Sequence, residues 1–233
     1  MQAKKRTSVV LLVAVLVITA LLSGCGPKAD PDDVSGELIF DHSMELEYTT
    51  GFSVDFYKGG YVIFKDSGGK EFLVVPEGKS VPESLAATVN VLKAPVNTMY
   101  VDSSAIVSLM SYIDKGLDPV KFVTIESDGW YIDKVKEYMD QGKIKYAGKY
   151  SSPDFEMLAS GQTQMAICTT MVNSHPDMLQ KFDELKIPYL VETSSKEDHP
   201  LGRVEWLKLI GVITGNEEAA NAGYEDQKAK IDA

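Results

Sequence analysis

The sequence predicts an α/β chain: a lobe built on a mostly parallel sheet, preceded by a small antiparallel β-meander. Three observations carry that expectation. Between residues 46 and 75, short apolar-polar alternations are separated by glycine pairs, as in strands joined by tight turns. Beyond Pro82, short apolar runs alternate with stretches of helical spacing, the rhythm of βαβ units. Residues 216–233 read as one helix running to the end of the sequence.

In the meander, Phe52, Val54 and Phe56 alternate with Ser53, Asp55 and Tyr57. Gly59-Gly60 precedes Tyr61-Val62-Ile63-Phe64, Gly68-Gly69 precedes Phe72-Leu73-Val74-Val75, and Pro76-Glu77-Gly78 closes the segment. Residues 89–92 and 98–101 are short strands of the lobe. A helix over 103–113 is marked by Ile106, Leu109, Met110 and Ile113 at helical spacing. A strand over 120–125 leads through Asp128-Gly129 to a helix over 130–141. Its apolar side is Ile132, Val135, Tyr138 and Met139, and its polar side carries Lys134, Lys136, Glu137 and Asp140. Pro153 starts a short helix to Leu158, followed by a strand over 164–169. Pro176 opens a helix to 185, and 188–191 is a strand. Asp198 is the expected cap of the next helix, with Pro200 in its first turn and Gly215 stopping it. Asn216 caps the last helix, where Glu217 and Glu218 complement the dipole. Gly223 is its weak point, costing about 1 kcal/mol against alanine.

The amino end has a different character. Lys4, Lys5 and Arg6 precede an apolar run over 9–22, the plan of a secretory signal. The run is shorter than the roughly 20 residues of a spanning helix. Leu22-Ser23-Gly24-Cys25 resembles the bacterial lipobox, which implies cleavage before Cys25 and acylation of its thiol and new amino group. Two or more acyl chains give stable membrane anchoring. Residues 1–24 are then a lipoprotein signal peptide. Residues 25–40, rich in proline, glycine and acid, are a flexible tether.

The whole chain of 233 residues has a formal charge of −11, and loss of the three basic residues of the signal takes the mature part to −14. Such a surface argues against nucleic acid and against adhesion to anionic lipid. With Cys25 acylated, Cys168 has no partner for a disulfide within the chain, and its apolar run Met165-Ala166-Ile167-Cys168 suits a small buried hydrophobe. His42, His175 and His199 lie far apart without metal-ligand spacing, so no metal site and no cofactor are expected. The sequence has no Gly-x-Ser-x-Gly elbow, His-Glu-x-x-His, phosphate loop or Cys-x-x-Cys, and an enzyme is not expected.

In open parallel sheets, ligands lie outside the carboxyl ends of the strands. The loops there are Asp102-Ser103-Ser104, Ser127-Asp128-Gly129-Trp130-Tyr131, Thr169-Thr170-Met171 and Thr193-Ser194-Ser195, which bring Ser103, Ser104, Asp128, Trp130, Tyr131, Thr169, Thr170 and Ser194 as candidate ligand contacts. Lys149 and Tyr150 join the candidate ligand-binding residues. Hydroxyls and rings suit an organic chelate with many oxygens and apolar faces. Alternatives stand beside these readings. Trp130 and Tyr131 also suit a hydrophobic staple at a helix start, and Lys149 suits a solvated surface. Arg203 is either a carboxylate-binding group or, with Glu205, a structural pair or a solvated edge.

The lipobox, the β/α lobe, the segment Gly148-Lys149-Tyr150-Ser151-Ser152-Pro153-Asp154-Phe155-Glu156-Met157-Leu158 and the run His199-Pro200-Leu201-Gly202-Arg203-Val204-Glu205-Trp206 together resemble a known family. It is the substrate-binding lipoproteins of ABC importers for iron-siderophores and cobalamin. The resemblance spans about residues 40 to 230. It implies a Rossmann-like lobe over 41–215 and the start of a long inter-lobe helix over 216–233, so that only the amino-terminal lobe is expected and the second lobe is absent. It also implies an extracytoplasmic, lipid-anchored protein whose partners are a metal chelate (ferric siderophore, haem or cobalamin) and ABC permease subunits. Asp177 is the permease-docking residue by this resemblance; an aspartate there also simply complements the helix dipole. The alternative is an interaction or structural lipoprotein without transport activity.

Overall fold

The computed structural model describes residues 37–231. The signal segment, Cys25 and most of the tether lie outside the described residues.

The first sheet runs β1 (Phe40–Ser43), β2 (Phe52–Tyr57), β3 (Val62–Asp66), β4 (Glu71–Val75), β5 (Asn90–Lys93). The first four strands are antiparallel neighbours, as the alternation predicts. Gly59 and Gly60 take φ of 78° and 82° in the turn between β2 and β3, a conformation that only glycine enters without strain. Register places Val54 opposite Phe64 and Phe64 opposite Phe72, and the two phenyl rings stack at 4.6 Å on the core face. The other face buries Tyr61, Leu73 and Val75 under Val81, Leu85 and Val89.

One expectation is corrected here. The strand expected over 89–92 is not part of the parallel lobe: β5 pairs parallel with β4, Phe72 opposite Asn90 and Val75 opposite Lys93. The connection over 76–89 crosses the outer face of the first sheet, and its apolar side chains gain cover there. Burial thus returns the chain to β4 before it enters the lobe.

The lobe follows as β6 (Met99–Val101), α1 (Ser104–Ser111), β7 (Val120–Val123), α2 (Asp133–Asp140) and β8 (Lys145–Tyr146). A two-residue hairpin of β9 (Gly148–Lys149) and β10 (Ser152–Pro153) leads to α3 (Phe155–Ser160), β11 (Met165–Thr169), α4 (Pro176–Glu184) and β12 (Tyr189–Glu192). The sheet order is β12-β11-β6-β7-β8, all parallel. From β6 the chain winds outward through β7 and β8, then returns to lay β11 on the opposite side of β6. That reversal makes a topological switch point between β6 and β11. Helices cover both faces. Ile106, Val107 and Met110 of α1 and Val135 of α2 pack on one face with the first sheet. Leu158 of α3 and Phe182 of α4 pack on the other, against Tyr100, Ala166 and Cys168.

Two helices close the chain: α5 (Pro200–Thr214) and α6 (Glu217–Ile231). Gly215, at φ 68°, ends α5 with a left-handed cap. The cap of α5 at its start is His199, whose Nδ1 accepts from the Leu201 N–H at 3.1 Å. The expected Asp198 lies one residue too far out. Among the described residues no helix is long and apolar enough to cross a membrane.

Candidate functional site

At the carboxyl ends of β6, β7, β11 and β12 the loops enclose a cleft of about 360 Å³. It opens at the switch point, where α/β sheets place their ligands. Asp102, Ser103, Ser104 and Ala105 line it from the β6–α1 turn, and Thr124 and Ile125 from the end of β7. Tyr150 enters from the β9–β10 hairpin, Thr169 and Met171 from the end of β11, and Glu192 and Ser195 from the end of β12. A larger hollow of about 420 Å³ is lined by Val89, Asn90, Phe182, Lys186 and Pro188. It lies at the amino end of β12, away from the strand ends, and brings no comparable set of hydroxyls together.

Two buried carboxylates organise the cleft floor. Ser103 Oγ donates to Glu192 Oε1 at 2.6 Å and accepts from the Ile106 N–H at 3.3 Å, capping α1. Glu192 Oε2 accepts from the Ser194 N–H at 2.7 Å. One serine thus ties the first turn of α1 to the end of β12. Asp102 Oδ1 accepts from the Thr169 N–H at 2.5 Å, bridging β6 and β11. Its Oδ2 is buried without a hydrogen-bond partner. Burial pushes the Asp102 carboxyl up to about 6, against the pull of the Thr169 N–H, with the charge of Glu192 adding to the rise.

Of the residues singled out from sequence, Ser103, Ser104, Tyr150 and Thr169 line this cleft. Thr170, half-buried in the turn after β11, Lys149, exposed beside Tyr150, and Ser194, buried under Glu192, lie outside its lining. Asp128 is exposed in a single turn, Ser127–Gly129. Trp130 is 4% exposed and packs in the main core, its Nε1 donating to the Ile125 carbonyl at 3.1 Å. Tyr131, its neighbour, is 100% exposed. Asp177 is exposed in the first turn of α4. Cys168 is wholly buried. Cys25 lies outside the described residues.

Sequence reasoning placed Asp102 in the first strand-end loop without singling it out, and passed over Glu192 and Thr124. The available signal was position: acids and hydroxyls immediately after an apolar strand, as in Val101-Asp102 and Val191-Glu192.

Arg203 and Glu205 do not form the expected structural pair. Arg203 Nη2 donates to the Ser195 carbonyl at 3.3 Å. Glu205 is buried and accepts instead from the backbone N–H groups of Glu47, Tyr48 and Thr49, each at 2.8 Å. Lys208 Nζ pairs with it at 3.1 Å. Beside it Glu197 Oε1 accepts from Thr49 Oγ1, and from Trp206 Nε1 at 3.0 Å. The loop before β2 is therefore wrapped around two carboxylates, one within α5 and one just before it, which locks the first sheet to the lobe.

No family model matches the chain. A curated relative is a lipoprotein of Methanocaldococcus jannaschii, 26% identical over 239 aligned positions. The alignment takes in 90% of this chain and 58% of that protein, so the chain spans little more than half of the relative's length. Among solved structures it is similar to an ABC transporter substrate-binding protein from Listeria monocytogenes EGD-e, at 20% identity and a TM-score of 0.44, over 58% of this chain and 47% of that one. The triscatecholate siderophore binding protein FeuA from Bacillus subtilis gives 18% and 0.44, over 60% and 46%. A periplasmic haem-binding protein from Pseudomonas aeruginosa gives 13% and 0.43, over 58% and 44%. Each of the three is a binding protein.

Proposed function

We propose that this chain is the lipid-anchored substrate-binding component of an ABC importer, taking up a metal chelate (ferric siderophore, haem or cobalamin) and handing it unchanged to a permease. The observation that supports this most is the cleft at the switch point. It offers hydroxyls from Ser104, Thr124, Thr169 and Ser195 and the ring of Tyr150, with Ser103 fixing the floor beneath them. Such a lining pairs with the oxygens and the apolar faces of an organic chelate, and its volume is within the range of small-molecule sites. The lipobox-like Leu22-Ser23-Gly24-Cys25, together with a relative that is a lipoprotein, supports an anchored, extracytoplasmic location.

In this reading residues 25–40 are the tether, 41–215 the binding lobe and 216–233 the start of the inter-lobe helix. Asp177, exposed at the start of α4, is the docking contact for the permease. The protein's part is positioning: the strand-end loops hold the cargo, and no bond in it is made or broken.

Calorimetric titration of the mature chain with ferric chelates, haem and cobalamin tests the reading, with Tyr150→Ala as the cleft variant. Saturable binding to one of them, weakened in the variant, is expected. A folded chain that binds none of them overturns it. Growth with radiolabelled palmitate is expected to label the protein, and Cys25→Ser to abolish the label.

A further inference from the structure

The cleft carries a charge that the chelate reading leaves unspecified. Its lining contains two carboxyls, Asp102 and Glu192, and no lysine, arginine or histidine. Asp102 is 7% exposed, and its Oδ2 has no hydrogen-bond partner within the protein. A buried acceptor without a partner is rare in folded proteins, and this oxygen is itself closed off from solvent, so what Asp102 gives the cleft is a fixed negative charge in its wall. Both oxygens of Glu192 are engaged by donors from Ser103 and Ser194, which holds its charge in place beside Asp102.

The cations nearby do not reverse the sign. Lys149 is exposed and outside the lining. Arg203 is exposed and bonded to the Ser195 carbonyl at the rim. Lys196 lines a separate hollow with Thr193 and Glu197. His175 meets Tyr150 edge-on, with ring centroids 5.9 Å apart, and is outside the lining. The net charge of −11 adds a long-range field of the same sign as the two carboxyls.

We propose that this cleft selects cationic or neutral ligands and rejects polyanionic chelates, through the charges of Asp102 and Glu192 in its wall. A polyanion would meet two fixed carboxylates in a partly desolvated site, where like charges repel far more strongly than in water. A cationic or neutral ligand of equal size meets no such repulsion. The inference rests on the chelate reading for the kind of cargo, but its charge preference stands on the lining alone.

Calorimetry at pH 8 tests it on the mature chain. The probes are two ferric chelates of similar size, a trishydroxamate bearing a free ammonium and a triscatecholate, and a metal-free polyamine. The cationic chelate is expected to bind roughly tenfold tighter than the polyanion or better. Asp102→Asn, which keeps the oxygen facing Thr169, is expected to shrink that ratio while the circular dichroism spectrum is unchanged. Equal or tighter binding of the triscatecholate overturns the proposal, as does failure of every cationic probe to bind or an unchanged ratio in the variant. Binding of the polyamine without either chelate supports the charge preference while removing the chelate reading.

Discussion

The carboxylate of Glu205 and the backbone N–H of Thr49 meet at 2.8 Å, and the same oxygen takes the N–H of Tyr48 at the same distance. With Glu47 on the other oxygen, one side chain of α5 satisfies three successive amides of the loop before β2. Glu205→Ala strands these donors and Lys208, and is expected to cost about 3 kcal/mol or more. For a domain of this size that lowers Tm by roughly 10 °C. Glu205→Gln keeps the shape and one acceptor oxygen, and is expected to lose less. A thermal melt of the Ala variant that coincides with the native one would refute the clamp.

Two acids of this protein give stability opposite pH dependences. Burial raises the Glu205 carboxyl, but the three amides and Lys208 outweigh it, so it sits below its ordinary value in the folded protein. Its contribution is present above the unfolded pKa and fades as pH falls through the lower folded one. Asp102 is held up at about 6, so its ionisation destabilises the fold as pH rises from about 4 to above 6. Asp102→Asn is therefore expected to raise stability by about 1 to 2 kcal/mol at pH 7 and by almost nothing at pH 4. Urea melts at the two pH values read this directly, and a variant less stable at pH 7 would contradict it.

Gly223 is a contact glycine. A Cβ there would stand 2.5 Å from Ile113 Cγ2, which is closer than carbon atoms pack. The helix-propensity gain of about 1 kcal/mol for alanine is therefore set against overpacking of about 1 to 3 kcal/mol. Gly223→Ala is expected to destabilise the protein in a urea melt; stabilisation would show that α6 can move off Ile113.

Burial, then the charge of Asp102, pushes the Cys168 thiol well up, with Lys70 pulling the other way. The thiolate is the reactive form. Iodoacetamide is expected to leave Cys168 unmodified in the native protein and to alkylate it in urea, as read by mass spectrometry. Rapid native labelling would mean that β11 opens locally.

In the cleft, Tyr150→Ala is expected to weaken chelate binding roughly tenfold, by loss of ring contact. Lys149→Ala, one residue away but outside the lining, is expected to leave it unchanged. Equal effects would move the site to the outer face of the hairpin.

Much of this architecture was legible because hydrophobic period records burial. The β2–β4 alternation, the Gly59-Gly60 turn and the strand-helix rhythm from β6 to β12 each encode which side faces the core. What was lost lacked that code. β1 is exposed along its length, so Phe40-Asp41-His42-Ser43 shows no buried side. The four residues of β5 carry no mark of their partner strand. Trp130 illustrates the same limit at the site, since an indole at a strand end reads equally as ligand platform or core, and only packing decides. Ser103 and Thr169 were found by the strand-end rule, whereas Glu205 was not, because its three partners come from a loop with no pattern of its own. A glutamate inside Leu201-Gly202-Arg203-Val204-Glu205-Trp206-Leu207, with apolar neighbours on both sides, was the available clue.

The loop that embraces Glu197 and Glu205 also sets a timetable. Thr49 and Glu205 are separated by 156 positions, so a chain emerging amino end first makes its opening strands long before the carboxylates that fix them have appeared. Until α5 arrives, the meander has its turns and its apolar face on the core but lacks the hydrogen-bonded clamp of Glu197 and Glu205.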